Sequence, residues 1–238
     1  MLAVRWITFH LPTIVLVHGA WHTPYYYRPY ITALQKHGFV VHCPRLPSSI
    51  NIIESLVNGG KYVLMVMHSY GGLVGANAIK GLSRAEHQRS RQPGGVIHLL
   101  YLCTYLLMAG ETVWGKVEAF GYASIWPQFM DDTLDSTTIP KDPELSFYGG
   151  INKQIIKSDL VPHLVCAPLS SLPAMYVFTQ QDYAVPREFQ NQMVSRARGH
   201  GISLCTEDYN TSHSIFLTRT AEMVQAAERA AMDGRDLA

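Results

Sequence analysis

Residues 66–72 read VMHSYGG. An apolar run, YVLMVMH at 62–68, stops at Ser69 and two glycines follow. That order describes a buried strand, a sharp turn and a helix, with a serine at the tip of the turn. The nucleophile-elbow pattern is G-x-S-x-G, and Met67 occupies its first glycine position while Gly71 keeps the second. A serine in such a turn exposes Oγ at the carboxyl edge of a sheet, where open α/β sheets bind ligands. The same serine also suits a plain helix N-cap, which needs no chemistry.

Working outward, further short apolar runs appear at 13–17 (TIVLV), 39–43 (FVVHC), 96–103 (VIHLLYLC), 174–179 (AMYVFT) and 202–206 (ISLCT). They are rich in β-branched and aromatic residues and lack polar alternation, as strands buried on both faces do. Helical patterns lie between them. PYITALQKHG ends at Gly38 as a C′ residue, and Ile50, Ile53, Leu56 and Val57 share one helical face. GLVGANAIKGL is a small-residue helix, and SIFLTRTAEMVQAAERAAM reads as one long amphipathic helix. This alternation predicts an α/β fold in one domain over 1–238, with a mainly parallel central sheet and helices on both faces. Residues 110–172 interrupt it with a Gly-, Pro- and aromatic-rich stretch, expected to be a lid inserted within the domain.

The 238 residues carry a formal net charge of +1 and no sustained run of one sign, so no nucleic-acid footprint is expected. Arg5, His10 and Pro12 break the apolar N-terminal stretch, and nothing approaches a membrane span. The expectation is a soluble cytoplasmic protein without membrane or nucleic-acid partners. Cys43, Cys103, Cys166 and Cys205 form no C-x-x-C pair, which speaks against zinc and for buried reduced thiols.

A serine hydroxyl needs a base to take its proton and a third group to orient that base. On this reading an acid and a histidine should follow Ser69 in that order, each after a later strand. Asp182, in QQDYAVP, follows the AMYVFT strand, and His213, in TSHSIFL, follows the last strand. Singly, Asp182 is also a good turn residue and His213 a good helix cap. Glu207 and Asp208 compete for the acid role, but they lead directly into His213 and would have to fold back to reach its ring. An oxyanion hole needs two backbone N–H groups, and Tyr70 and Ala20 (in HGAWHTP, after TIVLV) are the candidates.

Taken together, TIVLVHGAWHTPYYYRPYITAL, MHSYGGLVGANAIKGLS, QQDYAVP and SHSIFLT resemble the α/β-hydrolase superfamily. The similarity is to its small-lid branch of esterases and hydroxynitrile lyases. It implies a Ser69–Asp182–His213 triad, acyl transfer on a small-molecule ester, and no metal or cofactor. Tyr25–Tyr27 and the aromatic lid suggest an apolar substrate. The related lyases carry a threonine beside the oxyanion loop and a lysine after the histidine. Here those positions are Gly19 and Ser214, so cyanohydrin cleavage is not expected. A lyase or cyclase using the triad as a base, or a non-catalytic binding protein, stays open. Between Pro47 and Lys61 lie only 13 residues, which leaves room for a truncated helix.

Overall fold

The computed structural model describes residues 10–108, 111–132, 138–149 and 172–235. Strands β1 (Thr13–Val17), β2 (Val41–His42), β3 (Tyr62–His68) and β4 (Gly95–Leu102) belong to one sheet. Strands β5 (Met130–Asp132) and β6 (Thr138–Pro140) form a separate antiparallel ribbon. β7 (Ala174–Thr179) and β8 (Leu204–Tyr209) complete the large sheet, whose order is β2-β1-β3-β4-β7-β8. Every pairing in it is parallel.

The strand period of two explains why helices cover both faces. Val63, Met65 and Met67 of β3 join Val15 and Val17 in one buried cluster, together with residues of the helices Ser49–Asn58, Gly71–Ala78 and Arg187–Gly199. Leu64 and Val66 join Ile14 and Leu16 in the other, against the helices Arg28–Lys36 and Thr220–Arg235. Continuous apolar strands thus feed two cores at once.

Several boundaries differ from the sequence reading. The second strand shrinks to two residues, and the last extends through Glu207, Asp208 and Tyr209 as a sheet edge. The terminal helical pattern is two helices, Ile215–Thr218 and Thr220–Arg235, because Arg219 leaves helical geometry at φ −134° and ψ 44°. The short segment before Lys61 still holds a full ten-residue helix, Ser49–Asn58, so it is not truncated. Gly38, at φ +90°, closes the helix Arg28–Lys36 as expected of a C′ glycine. Cys103 is buried, Cys43 is half-buried and Cys205 is exposed, which corrects the expectation that all the thiols are hidden. Cys205 lies on the edge strand, whose outer residues face solvent. Cys166 lies outside the described residues.

Between β4 and β7 the described chain forms the helices Val113–Ala119, Trp126–Phe129 and Pro143–Phe147 and the β5–β6 ribbon. Phe120 stacks on Phe189 at 3.9 Å between ring centroids, and Glu111 pairs with both Lys116 and Arg196 at 2.6 Å. These contacts seat the segment on the helix Arg187–Gly199. The rest of the stretch expected to be a lid, 150–171, lies outside the described residues, as do 109–110 and 133–137. Among the described residues, no helix is long and apolar enough to cross a membrane.

Candidate active site

β1 and β3 are neighbours although β2 intervenes in sequence, so the chain reverses direction across the sheet between them. Ligands bind α/β sheets at the carboxyl edge of such a switch point. Ser69 follows β3 there, and the HGAW loop follows β1. The register pairs Val17 with Met67, which carries Gly19 and Ser69 side by side. A Cβ on Gly19 would fall 2.9 Å from Ser69 Cβ, so only glycine fits.

Ser69 has φ +53°, a left-handed conformation unfavourable for a residue with a side chain. Trp21 (φ +55°) and Cys103 (φ +37°) share that strain, and both flank this site. The turn is held by the Ser69 N–H donating to the Leu102 carbonyl at 3.2 Å. The Ser69 carbonyl accepts from Gly72 N–H, Tyr105 N–H and the Thr104 hydroxyl. A Cβ on Gly71 would lie 2.1 Å from the Val17 carbonyl oxygen, so the second glycine of the elbow is obligatory. The Ser69 side chain does not cap the helix Gly71–Ala78: that helix has Tyr70 at its N-cap position and no side-chain cap bond.

Asp182 and His213 meet. His213 Nδ1–H donates to Asp182 Oδ2 at 2.8 Å, with both side chains fully buried. Asp182 Oδ2 also accepts from the Thr179 hydroxyl at 2.7 Å, and Oδ1 accepts from the Ala184 and Val185 N–H groups. With Nδ1 as the donor, Nε2 is the lone-pair nitrogen. It is buried and has no hydrogen-bond partner among the described residues, so Ser69 Oγ is not bonded to it in this structure. Glu207 and Asp208 are committed elsewhere, to Arg229 and Arg187 on the outer sheet edge.

Ala20 and Tyr70, which follow Gly19 and Ser69 directly, are both buried. The loop carrying Ala20 is pinned at successive peptide units. Gly19 N–H donates to Tyr27 Oη at 3.0 Å, His18 Nδ1–H to the Gly19 carbonyl at 2.9 Å, and His22 Nδ1–H to the Ala20 carbonyl at 2.7 Å. Burial is the main cause that lowers both histidines, His22 to about 3, so they stay neutral and keep one ring proton.

Below that loop runs a chain the sequence did not reveal. Tyr27 O–H donates to His68 Nδ1 at 2.7 Å, and His68 Nε2–H donates to the His213 carbonyl at 3.0 Å. A carbonyl only accepts, which fixes the His68 tautomer and therefore the direction of the Tyr27 bond. Burial, with the nearby histidines His213 and His22 adding to it, holds His68 well below the usual imidazole range. Donor-type atoms of His68, Cys103 and His213 lie within 4.8 Å of one another. His68 Nε2–H and Cys103 S–H both donate to the His213 carbonyl, which accounts for that cluster without an ion.

Gln190 was also missed. Fully buried, it donates to Val185 and Thr179 carbonyls at 2.7 and 3.2 Å, accepts from Thr179 N–H, and approaches Asp182 Oδ2 at 3.4 Å. It lies on a different element from Asp182, so no local motif signals it. The tyrosine triplet divides: Tyr26 faces Tyr148, Tyr27 is spent in the buried chain, and Tyr25 turns to solvent under Arg28. Over the site lie Trp21, His22 and Phe147, with Trp21 and Phe147 rings 5.3 Å apart.

Residues 14–226 match the model of the alpha/beta hydrolase family. The chain is 29% identical over 218 residues to alpha/beta hydrolase nvfD of Aspergillus novofumigatus (strain IBT 16806), covering 79% of this chain and 85% of that protein. Among solved structures, polyneuridine aldehyde esterase superposes with a TM-score of 0.71 at 14% identity, over 92% of this chain and 98% of that one. A pyrethroid hydrolase from Sphingobium faniae JZ-2 superposes with a TM-score of 0.65 at 15% identity, over 92% and 97%. The chain belongs to the alpha/beta hydrolase family.

Proposed function

We propose that the protein is a serine hydrolase that cleaves an ester-like bond in a small to medium apolar organic metabolite. The observation that carries this reading is the strained Ser69, at φ +53° on the carboxyl edge, in the same fold that pairs a buried Asp182 with His213. His213 Nε2 takes the Ser69 proton as Oγ attacks the carbonyl carbon. Asp182 keeps His213 in the tautomer with Nε2 free, and Ala20 and Tyr70 N–H groups receive the developing oxyanion. The alkoxide leaves with the proton from His213. Water, deprotonated by the same nitrogen, then attacks the acyl-enzyme and releases the acid.

Trp21, Tyr26, Phe147 and Tyr148 support an apolar substrate, and segments 111–132 and 138–149 are read as the described parts of a lid. Metabolite tailoring is the biological role we infer, by analogy with microbial members of the family. No metal or cofactor has a part in these steps.

Ser69→Ala should abolish turnover of a p-nitrophenyl ester, by about 10³-fold or more, with an unchanged circular dichroism spectrum. Full turnover in that variant sinks the reading. An acyl adduct on Ser69, seen by mass spectrometry, separates it from lyase or cyclase chemistry that uses His213 only as a base. Tight ligand retention with no turnover by the wild type would instead mark a binding protein.

A further inference from the structure

The two residues that flank His213 are serines, and neither has a part in the steps above. Ser214 sits at the N-cap position of the helix Ile215–Thr218, yet its side chain makes no cap bond. Its hydroxyl donates instead across the site to the Phe147 carbonyl at 2.7 Å. Ser212, two residues earlier, does the same two residues further along that segment, donating to the Gly149 carbonyl at 2.7 Å. A helix-preceding serine ordinarily satisfies its own helix. Here both hydroxyls are turned to one stretch of a distant segment, at i and i+2 on each side.

The strand β6, earlier in the same inserted segment, is tied to the site by a separate bond. Trp21, on the loop that carries Ala20, donates its indole N–H to the Thr138 carbonyl at 2.7 Å. Between these anchors the Phe147 ring is buried 5.6 Å from the His213 ring, 6.0 Å from His22 and 5.3 Å from Trp21. Phe147 is therefore the apolar side chain that spans from the base to the oxyanion loop. Its placement depends on two hydroxyls that grip its backbone.

We infer that Phe147 is a specificity-determining residue that limits the acyl group by size, and that Ser212 and Ser214 are positioning residues that set it over His213. The position after the histidine thereby serves the wall of the site. This inference rests on the triad reading given above. A short acyl group would pack against the Phe147 face, whereas a long one would have to displace it. Loosening the grip should relax that discrimination.

The test uses the full-length chain and the ratio of kcat/KM for p-nitrophenyl octanoate to that for p-nitrophenyl acetate. The ratio is unaffected by the fraction of enzyme that is folded, so a purely structural defect leaves it in place. Phe147→Ala should raise the ratio about tenfold or more, the usual range for a changed apolar pocket. Ser214→Ala and the more exposed Ser212→Ala should raise it in the same direction, and Ser212→Thr, which keeps the hydroxyl, should restore the wild-type ratio. Ratios in Phe147→Ala, Ser212→Ala and Ser214→Ala all equal to wild type overturn the inference while leaving the triad standing. Wild-type protein whose Ser69 takes no fluorophosphonate overturns the triad reading, and this inference with it.

Discussion

Met67 packs its thioether onto Gly75: a Cβ at position 75 would lie 2.5 Å from Met67 Sδ and 2.8 Å from Cγ. Met67 is fully buried, so its side chain has no room to swing away. The elbow therefore accepts a full side chain two residues before Ser69 because the helix behind it has a glycine where that side chain lands. Gly71, in contrast, faces the backbone of β1 and has no substitute.

Gly75→Ala should cost about 1–3 kcal/mol by overpacking, despite the better helix propensity of alanine. In the double variant with Met67→Ala the two costs should be clearly less than additive. Urea unfolding of the four proteins checks this, and strict additivity would show that the contact is slack.

Tyr27→Phe keeps the stack on Phe216, whose ring centroid is 4.0 Å away, and removes only the hydroxyl. Gly19 N–H and His68 Nδ1 then lose their shared partner. The variant should lower kcat about tenfold with little change in KM, because in the proposed mechanism a misaligned Ala20 loop affects the transition state more than substrate binding. Steady-state kinetics with one ester decide it, and an unchanged kcat would detach Tyr27 from the site.

Gln190→Leu retains volume and leaves Thr179 N–H and the Val185 carbonyl unpaired. Each buried group so orphaned costs about 1–3 kcal/mol. Asp182 also loses the scaffold of its loop, so kcat should fall at least tenfold, as expected of roughly 1 Å misplacements at a reacting centre. Thermal melting and kinetics measured on the same sample should both drop. A loss of stability with full kcat would assign Gln190 to the fold alone.

Burial pushes His98 down to about 4 and His22 to about 3. An unfolded chain protonates both near the ordinary value of about 6.5 while the folded protein resists. Their contribution to stability is thus complete above about pH 6.5. It is lost as the pH falls toward 4 for His98 and toward 3 for His22, at about 1.4 kcal/mol per pH unit for each. His98→Leu should flatten the pH dependence of the urea midpoint between 6.5 and 4. An identical slope in that variant would mean that His98 is protonated in the folded protein.

Local patterns carried the architecture far. Four of the six apolar runs became strands covered on both faces, β1, β3, β4 and β7, and the strand-turn-helix reading of VMHSYGG matches β3, Ser69 and the helix Gly71–Ala78. The meeting of Asp182 with His213 follows from each lying after a strand, since strand ends converge on one edge of a parallel sheet. Edge features were read less well. The extent of β8, its outward-facing Cys205, and the pairing of Glu207 and Asp208 with distant arginines depend on neighbours from other elements.

Everything that holds the candidate residues in place was decided by the tertiary fold. Tyr27, His68, Ser212 and Ser214 belong to no spacing rule, because their partners lie far along the chain and are met only when the fold brings distant elements together. Gln190 meets Val185 and Thr179 within eleven residues, but only because the loop after β7 turns back onto the helix Arg187–Gly199. Periodicity reports which side of an element is buried, since burial is a property of that element. A hydrogen bond between elements is a property of their placement, and Met67 against Gly75 shows the same for packing: the residue that makes the side chain acceptable is on the next element, not in the motif.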